Sequence, residues 1–117
     1  MPVVLITGAN RGLGLEFARQ YLADGWQIFA ACRNPAAAGE LQRLARGSRG
    51  KLTLVPMDVT NSESIRHAAK QLDGVAIDVL VNSAGVTGVS GQRAGHLDYE
   101  SWARVFDVNT MGPSRVL

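Results

Sequence analysis

A chain of 117 residues with 46% hydrophobic and 19% charged residues has room for one globular domain with a real core, and for no more than one. Its net charge is +2 and its basic residues are spread along the chain, which argues against a nucleic-acid partner. The single cysteine, Cys32, excludes an internal disulfide, and no apolar run approaches the ~20 residues of a bilayer span, so a cytoplasmic protein with no membrane partner is expected.

Val3-Val4-Leu5-Ile6 is a short β-branched run that reads as a first strand. Thr7-Gly8-Ala9-Asn10-Arg11-Gly12-Leu13-Gly14 follows it, and a helix over residues 12–24 is predicted, with Leu15, Ala18 and Leu22 facing inward. Residues 26–32 read as a second strand buried on both faces. Asn34-Pro35 then starts a helix, with asparagine as cap and Ala37, Leu41 and Leu44 as its buried face. Residues 52–57 form a third strand, which Pro56 assigns to an edge because proline has no N–H for the ladder. Thr60-x-x-Glu63 matches a capping box and opens a helix with Ile65, Ala69 and Leu72 inward. Residues 78–82 form a fourth strand, followed by a glycine-rich loop to about residue 97. Asp98 caps a helix that turns Trp102, Val105 and Phe106 inward, and a further helical segment begins at residues 109–113. Strands alternating with helices predict an α/β fold with a parallel sheet and right-handed crossovers.

The strand, glycine turn and helix at the N-terminus have the form of a phosphate cradle. Gly8 permits the tight exit from the strand, Gly12 the close approach of a ligand, and Gly14 the packing of helix on strand. The helix then offers unpaired N–H groups and a positive dipole end to a pyrophosphate. In open α/β sheets the ligand lies beyond the C-terminal strand ends. The second strand ends in Arg33, where an NAD site would place an acid, and no acid occupies residues 30–34. An arginine there suits a 2′-phosphate, and Arg11 adds a second cation. NADP(H) is therefore favoured over NAD(H). His67, His96 and Cys32 show no metal-ligand spacing, so no metal is expected.

The spacing Thr-Gly-x-x-x-Gly-x-Gly, with no Gly-Lys-Ser/Thr after it, resembles the short-chain dehydrogenase/reductase family, most nearly a carbonyl reductase. The resemblance implies a Rossmann-type doubly wound parallel sheet, incomplete here with four visible strands. It also implies cofactor contacts from Gly8, Asn10, Arg11, Gly12, Leu13 and Gly14. Asp58 would accept from the adenine amino group and Val59 would touch the ring; read alone, Asp58 is equally a turn residue. Asn82-Ser83-Ala84-Gly85 is similar to the family's Asn-Asn-Ala-Gly segment, with serine in the second place. By that likeness Asn82 braces the sheet while Ala84 and Gly85 leave room for the ribose. Asp107-Val108-Asn109 resembles the segment whose asparagine, here Asn109, supports the catalytic lysine's proton path; unaided, a lone asparagine is more often a cap.

The likeness breaks at the acid/base pair. The family needs a serine and a Tyr-x-x-x-Lys, but Gly25 follows Tyr21 at that spacing and Ala103 follows Tyr99. Residues 1–117 are thus expected to be the N-terminal, cofactor-binding part of an oxidoreductase acting on a carbonyl or alcohol, the catalytic C-terminal part lying outside them. A non-catalytic NADP(H)-binding module is the alternative. A fourth strand left at an open edge also predicts self-association.

Overall fold

The computed structural model describes residues 1–85 and 98–117. The expected glycine-rich loop of residues 86–97, with His96 in it, lies outside the described residues. Four strands, β1 (Val3–Thr7), β2 (Gln27–Cys32), β3 (Leu52–Pro56) and β4 (Val79–Asn82), form one parallel sheet in the order β3-β2-β1-β4. Val4 of β1 sits opposite Ile28 on one side and Val79 on the other. The chain therefore moves outward from β1 to β3, then returns to lay β4 on the opposite side of β1. Pro56 does lie on an edge strand.

The helices are α1 (Gly12–Ala23), α2 (Gly39–Arg46), α3 (Ser62–Gln71), α4 (Tyr99–Phe106) and the short α5 (Gly112–Val116). Side chains alternate across β1, and this divides the core in two. Val4 and Ile6 pack with Leu15 and Ala18 of α1 and Leu41 of α2. Val3 and Leu5 pack on the other face with Val55, Val59, Ala68 and Val108. A sheet covered on both faces explains why β1 and β2 read as unbroken apolar runs.

Several local expectations need correction. Asn34 makes no side-chain capping bond; a 3₁₀ turn over Pro35–Ala37 comes first, and α2 starts only at Gly39. That delay turns Ala38 inward and leaves Ala37 exposed. The cap of α3 is Asn61, whose side chain accepts from the N–H groups of Glu63 and Ser64, because Thr60 is held by Asp58 instead. Ala68, not Ala69, is buried on α3. Asp98 does cap α4, accepting from Ser101 N. Trp102 and Phe106 are half exposed rather than inward, as nothing among the described residues covers that face. The helix does not restart at Asn109 either; α4 widens into a π-helical segment, Asp107–Met111, and runs on into α5.

Candidate functional site

The carboxyl ends of all four strands open into one cleft of about 610 Å³. It lies where strand order reverses between β1 and β4, the place a doubly wound sheet reserves for a ligand. Its lining includes Gly8, Asn10, Arg11, Gly12, Leu13 and Gly14 from the turn after β1, and Arg33 from the end of β2. Asp58 and Val59 follow β3, and Ala84 and Gly85 follow β4. Two residues singled out from sequence stand elsewhere. Asn82 is paired with Thr7 at the end of β4, outside the lining. Asn109 sits on the π-helical segment with its Oδ1 3.3 Å from where a Cβ on Gly85 would be.

The cradle is built by close packing. Gly8 has φ +62°, and a Cβ there would stand 2.6 Å from the Cα of Ala84. A Cβ on Gly14 would meet the Gly8 carbonyl oxygen at 2.2 Å. Gly12 has φ +57° but open space around it, so its missing side chain leaves room on the cleft side. Thr7, buried at the end of β1, holds the floor: its Oγ1 accepts from Ser83 N at 3.0 Å and Ala84 N at 3.1 Å. Thr7→Val should therefore orphan two N–H groups and cost about 2–4 kcal/mol in a denaturation experiment. Thr7→Ser keeps the acceptor and should stay near the parent; equal loss in both variants would refute this role.

The N-terminus of α1 is unlike those of its neighbours. α2, α3 and α4 each carry a glutamate in the first turn, whereas α1 has no acid there and its cap residue Arg11 makes no side-chain bond. Its first N–H groups and dipole are thus left to whatever enters the cleft. A glycine-walled cradle, an uncapped helix and nearby arginines fit a dinucleotide pyrophosphate.

Asp58 is set for acceptance. Thr60 donates to its Oδ1 twice, from N at 2.9 Å and from Oγ1 at 2.6 Å. Burial alone would raise its pKa, but those bonds, together with the charges of Arg33 and Arg104, hold it below the usual carboxylate value. It is an anion at neutral pH. The Cys32 thiol also lines the cleft; burial pushes its pKa up, against a backbone hydrogen bond from Asn34, so it stays protonated at neutral pH. Behind Val59, Arg115 donates to its carbonyl at 2.9 Å and pairs with Asp107 at 2.6 Å, tying the π-helical segment to the cleft wall. Among the described residues no cluster of metal-ligating side chains occurs and no helix is long and apolar enough to cross a membrane.

Sequence reasoning overlooked Thr60, Arg104 and Val108, which also line the cleft. The first had a local signal, an Asp-x-Thr turn. The other two are placed only by the packing of α4 and the π-helical segment that follows it.

The family model for short chain dehydrogenases matches residues 2–117. This chain belongs to the short-chain dehydrogenase family. Within the family, it is 39% identical over 114 residues to retinol dehydrogenase 5 of Homo sapiens, an alignment spanning 94% of this chain and 35% of that protein. Galactitol 2-dehydrogenase of Agrobacterium fabrum is 37% identical over 113 residues, 95% of this chain and 42% of the relative. A carbonyl reductase from Pseudomonas aeruginosa PAO1 in complex with NADP superposes with a TM-score of 0.91 at 35% identity, covering 99% of this chain and 53% of that one. An NADPH-bound carbonyl reductase from chicken fatty liver gives 0.86 at 35% identity, covering 99% and 49%. The chain therefore spans between about a third and about half of these family members.

Proposed function

We propose that residues 1–117 are the cofactor-binding, N-terminal part of an NADP(H)-dependent short-chain oxidoreductase acting on a small carbonyl or alcohol in the cytoplasm. The observation that carries this reading is the junction of an uncapped helix N-terminus with two unpaired arginines, Arg11 and Arg33, around an open glycine. The NADP- and NADPH-bound relatives support the same choice. The N–H groups of Gly12, Leu13 and Gly14 would receive the pyrophosphate, and Arg11 and Arg33 the 2′-phosphate. Asp58 would accept from the adenine amino group beside Val59, while Ala84 and Gly85 leave space for the ribose. Bound NADP(H) would supply the hydride at nicotinamide C4. Asn109, beside Gly85, is the one position in the described chain that we assign to the proton path. The general acid/base belongs to a Tyr-x-x-x-Lys that these residues do not contain. A module that binds NADP(H) without turnover is the second reading.

Fluorescence titration with NADPH tests the shared part: saturable binding is expected, and its absence would refute both readings. Carbonyl-dependent NADPH oxidation by the chain would then overturn the assignment of the acid/base outside it. We also propose that the chain self-associates. β4 is an edge strand, and Trp102 and Phe106 expose an apolar face, 50% and 56% accessible. Light scattering at tens of micromolar should find a dimer or larger species; a monodisperse monomer would refute this.

A further inference from the structure

Among the described residues, Arg104 is the one arginine in the cleft lining that neither the glycine turn nor a strand end supplies. It lies in the last turn of α4. Four residues on, Val108 is buried in the layer of Val55, Met57 and Val59 and lines the same cleft. Residues four apart share a helix face. Arg104 and Val108 therefore form part of the cleft wall, while Trp102, Phe106 and Met111 lie along a separate apolar patch.

Charge matching says what Arg104 is for. Arg19, Arg66 and Arg115 each pair with a carboxylate; of the arginines with no ion pair among the described residues, Arg11, Arg33 and Arg104 are the ones that line the cleft. Among the described residues the lining thus holds three arginines against a single carboxylate, Asp58, which leaves a surplus of two positive charges. A pyrophosphate is already served by the N-terminus of α1. A phosphate monoester adds about −1.5 to −2 charges at neutral pH, which matches that surplus.

We propose that Arg104 is the third arm of a phosphate clamp, binding the 2′-monoester of NADP(H) together with Arg11 and Arg33 and selecting the phosphorylated dinucleotide. This rests on the cofactor reading above. α4 supplies this cation to the cleft lining, while the glycine turn and the end of β2 supply the other two. The charges of Arg33 and Arg104 both act on Asp58, which lines the same cleft.

Calorimetric titration of the full chain with adenosine 2′,5′-bisphosphate, adenosine 3′,5′-bisphosphate and 5′-AMP tests the clamp. The parent should prefer the 2′,5′-bisphosphate to both others. Arg104→Gln should weaken the 2′,5′-bisphosphate about tenfold, as expected for loss of one charge-assisted contact, and leave 5′-AMP within about twofold. Arg104→Lys should recover most of the loss. Arg104 is exposed, so circular dichroism of the variants should match the parent. Equal weakening of 2′,5′-bisphosphate and 5′-AMP, equal weakening of the two bisphosphates, or no change in any ligand would overturn the clamp while leaving the cofactor reading standing. A parent that binds none of the three would overturn the cofactor reading and the clamp with it.

Discussion

Replacing Gly8 by alanine is expected to cost the fold, whereas the same change at Gly12 is expected to cost the ligand. Both residues have φ near +60°, so alanine brings the same backbone strain to each, about 1–2 kcal/mol. Their surroundings differ. At Gly8 the new methyl would lie 2.6 Å from Ala84 Cα and 2.8 Å from Ala84 N, backbone atoms pinned by Thr7 that cannot step aside. Overpacking of that kind adds about 3 kcal/mol, a large share of a small domain's stability. At Gly12 nothing lies within 4 Å, so only the strain remains. Gly12→Ala should melt cooperatively, lower by roughly 5–15 °C, and bind NADPH more weakly; the bulkier Gly12→Val should block the pyrophosphate. Thermal melts and NADPH titrations of the variants check this. Equal destabilisation by Gly8→Ala and Gly12→Ala would refute the packing account, and undiminished NADPH affinity in Gly12→Val would refute the cradle.

Arg33→Asp is expected to move the preference from NADPH toward NADH. The change removes a guanidinium from the proposed phosphate site and puts a carboxylate near the already anionic Asp58. A 2′-phosphate would then meet repulsion, and NADPH affinity should fall about a hundredfold or more. An aspartate at this strand end accepts instead from the ribose hydroxyls of NADH. Paired titrations measure the ratio; an unchanged NADPH-to-NADH ratio would remove Arg33 from the phosphate site.

The strands were legible because a sheet buried on both faces demands unbroken apolar runs, and Val3–Ile6 and Ile28–Cys32 supply them. The gathering of Gly8, Arg11, Arg33, Asp58 and Ala84 was legible for a different reason: each follows the carboxyl end of a parallel strand, so the topology brings them to one edge. Helix phase was less so. Ala68 and Ala69 both satisfy a three- or four-residue spacing with Ile65 and Leu72, and two alanines carry no signal to choose between them. Thr60 lost the cap to Asn61 through competition, its hydroxyl being taken by Asp58. The apolar pattern of α4 told that Trp102 and Phe106 share a face but not what covers it. The π-helical widening at Asp107–Met111 has no local signature, and Arg104 looks like any solvated helix charge until α4 is placed over the cleft.

The first strand is the hub of the sheet, and this bears on when the cleft can exist. β2 adds to β1 and β3 to β2 by successive local crossovers, and these place the ends that carry the glycine turn, Arg33 and Asp58 at one edge. The floor comes from the far end. Thr7 meets Ser83 across 76 residues of sequence, a closure with a larger entropic cost than either earlier pairing. Nucleotide bound against Ala84 and Gly85 would favour the docked state of β4 over the undocked one by mass action. Affinity for such a ligand and order in β4 would then be two readings of one equilibrium.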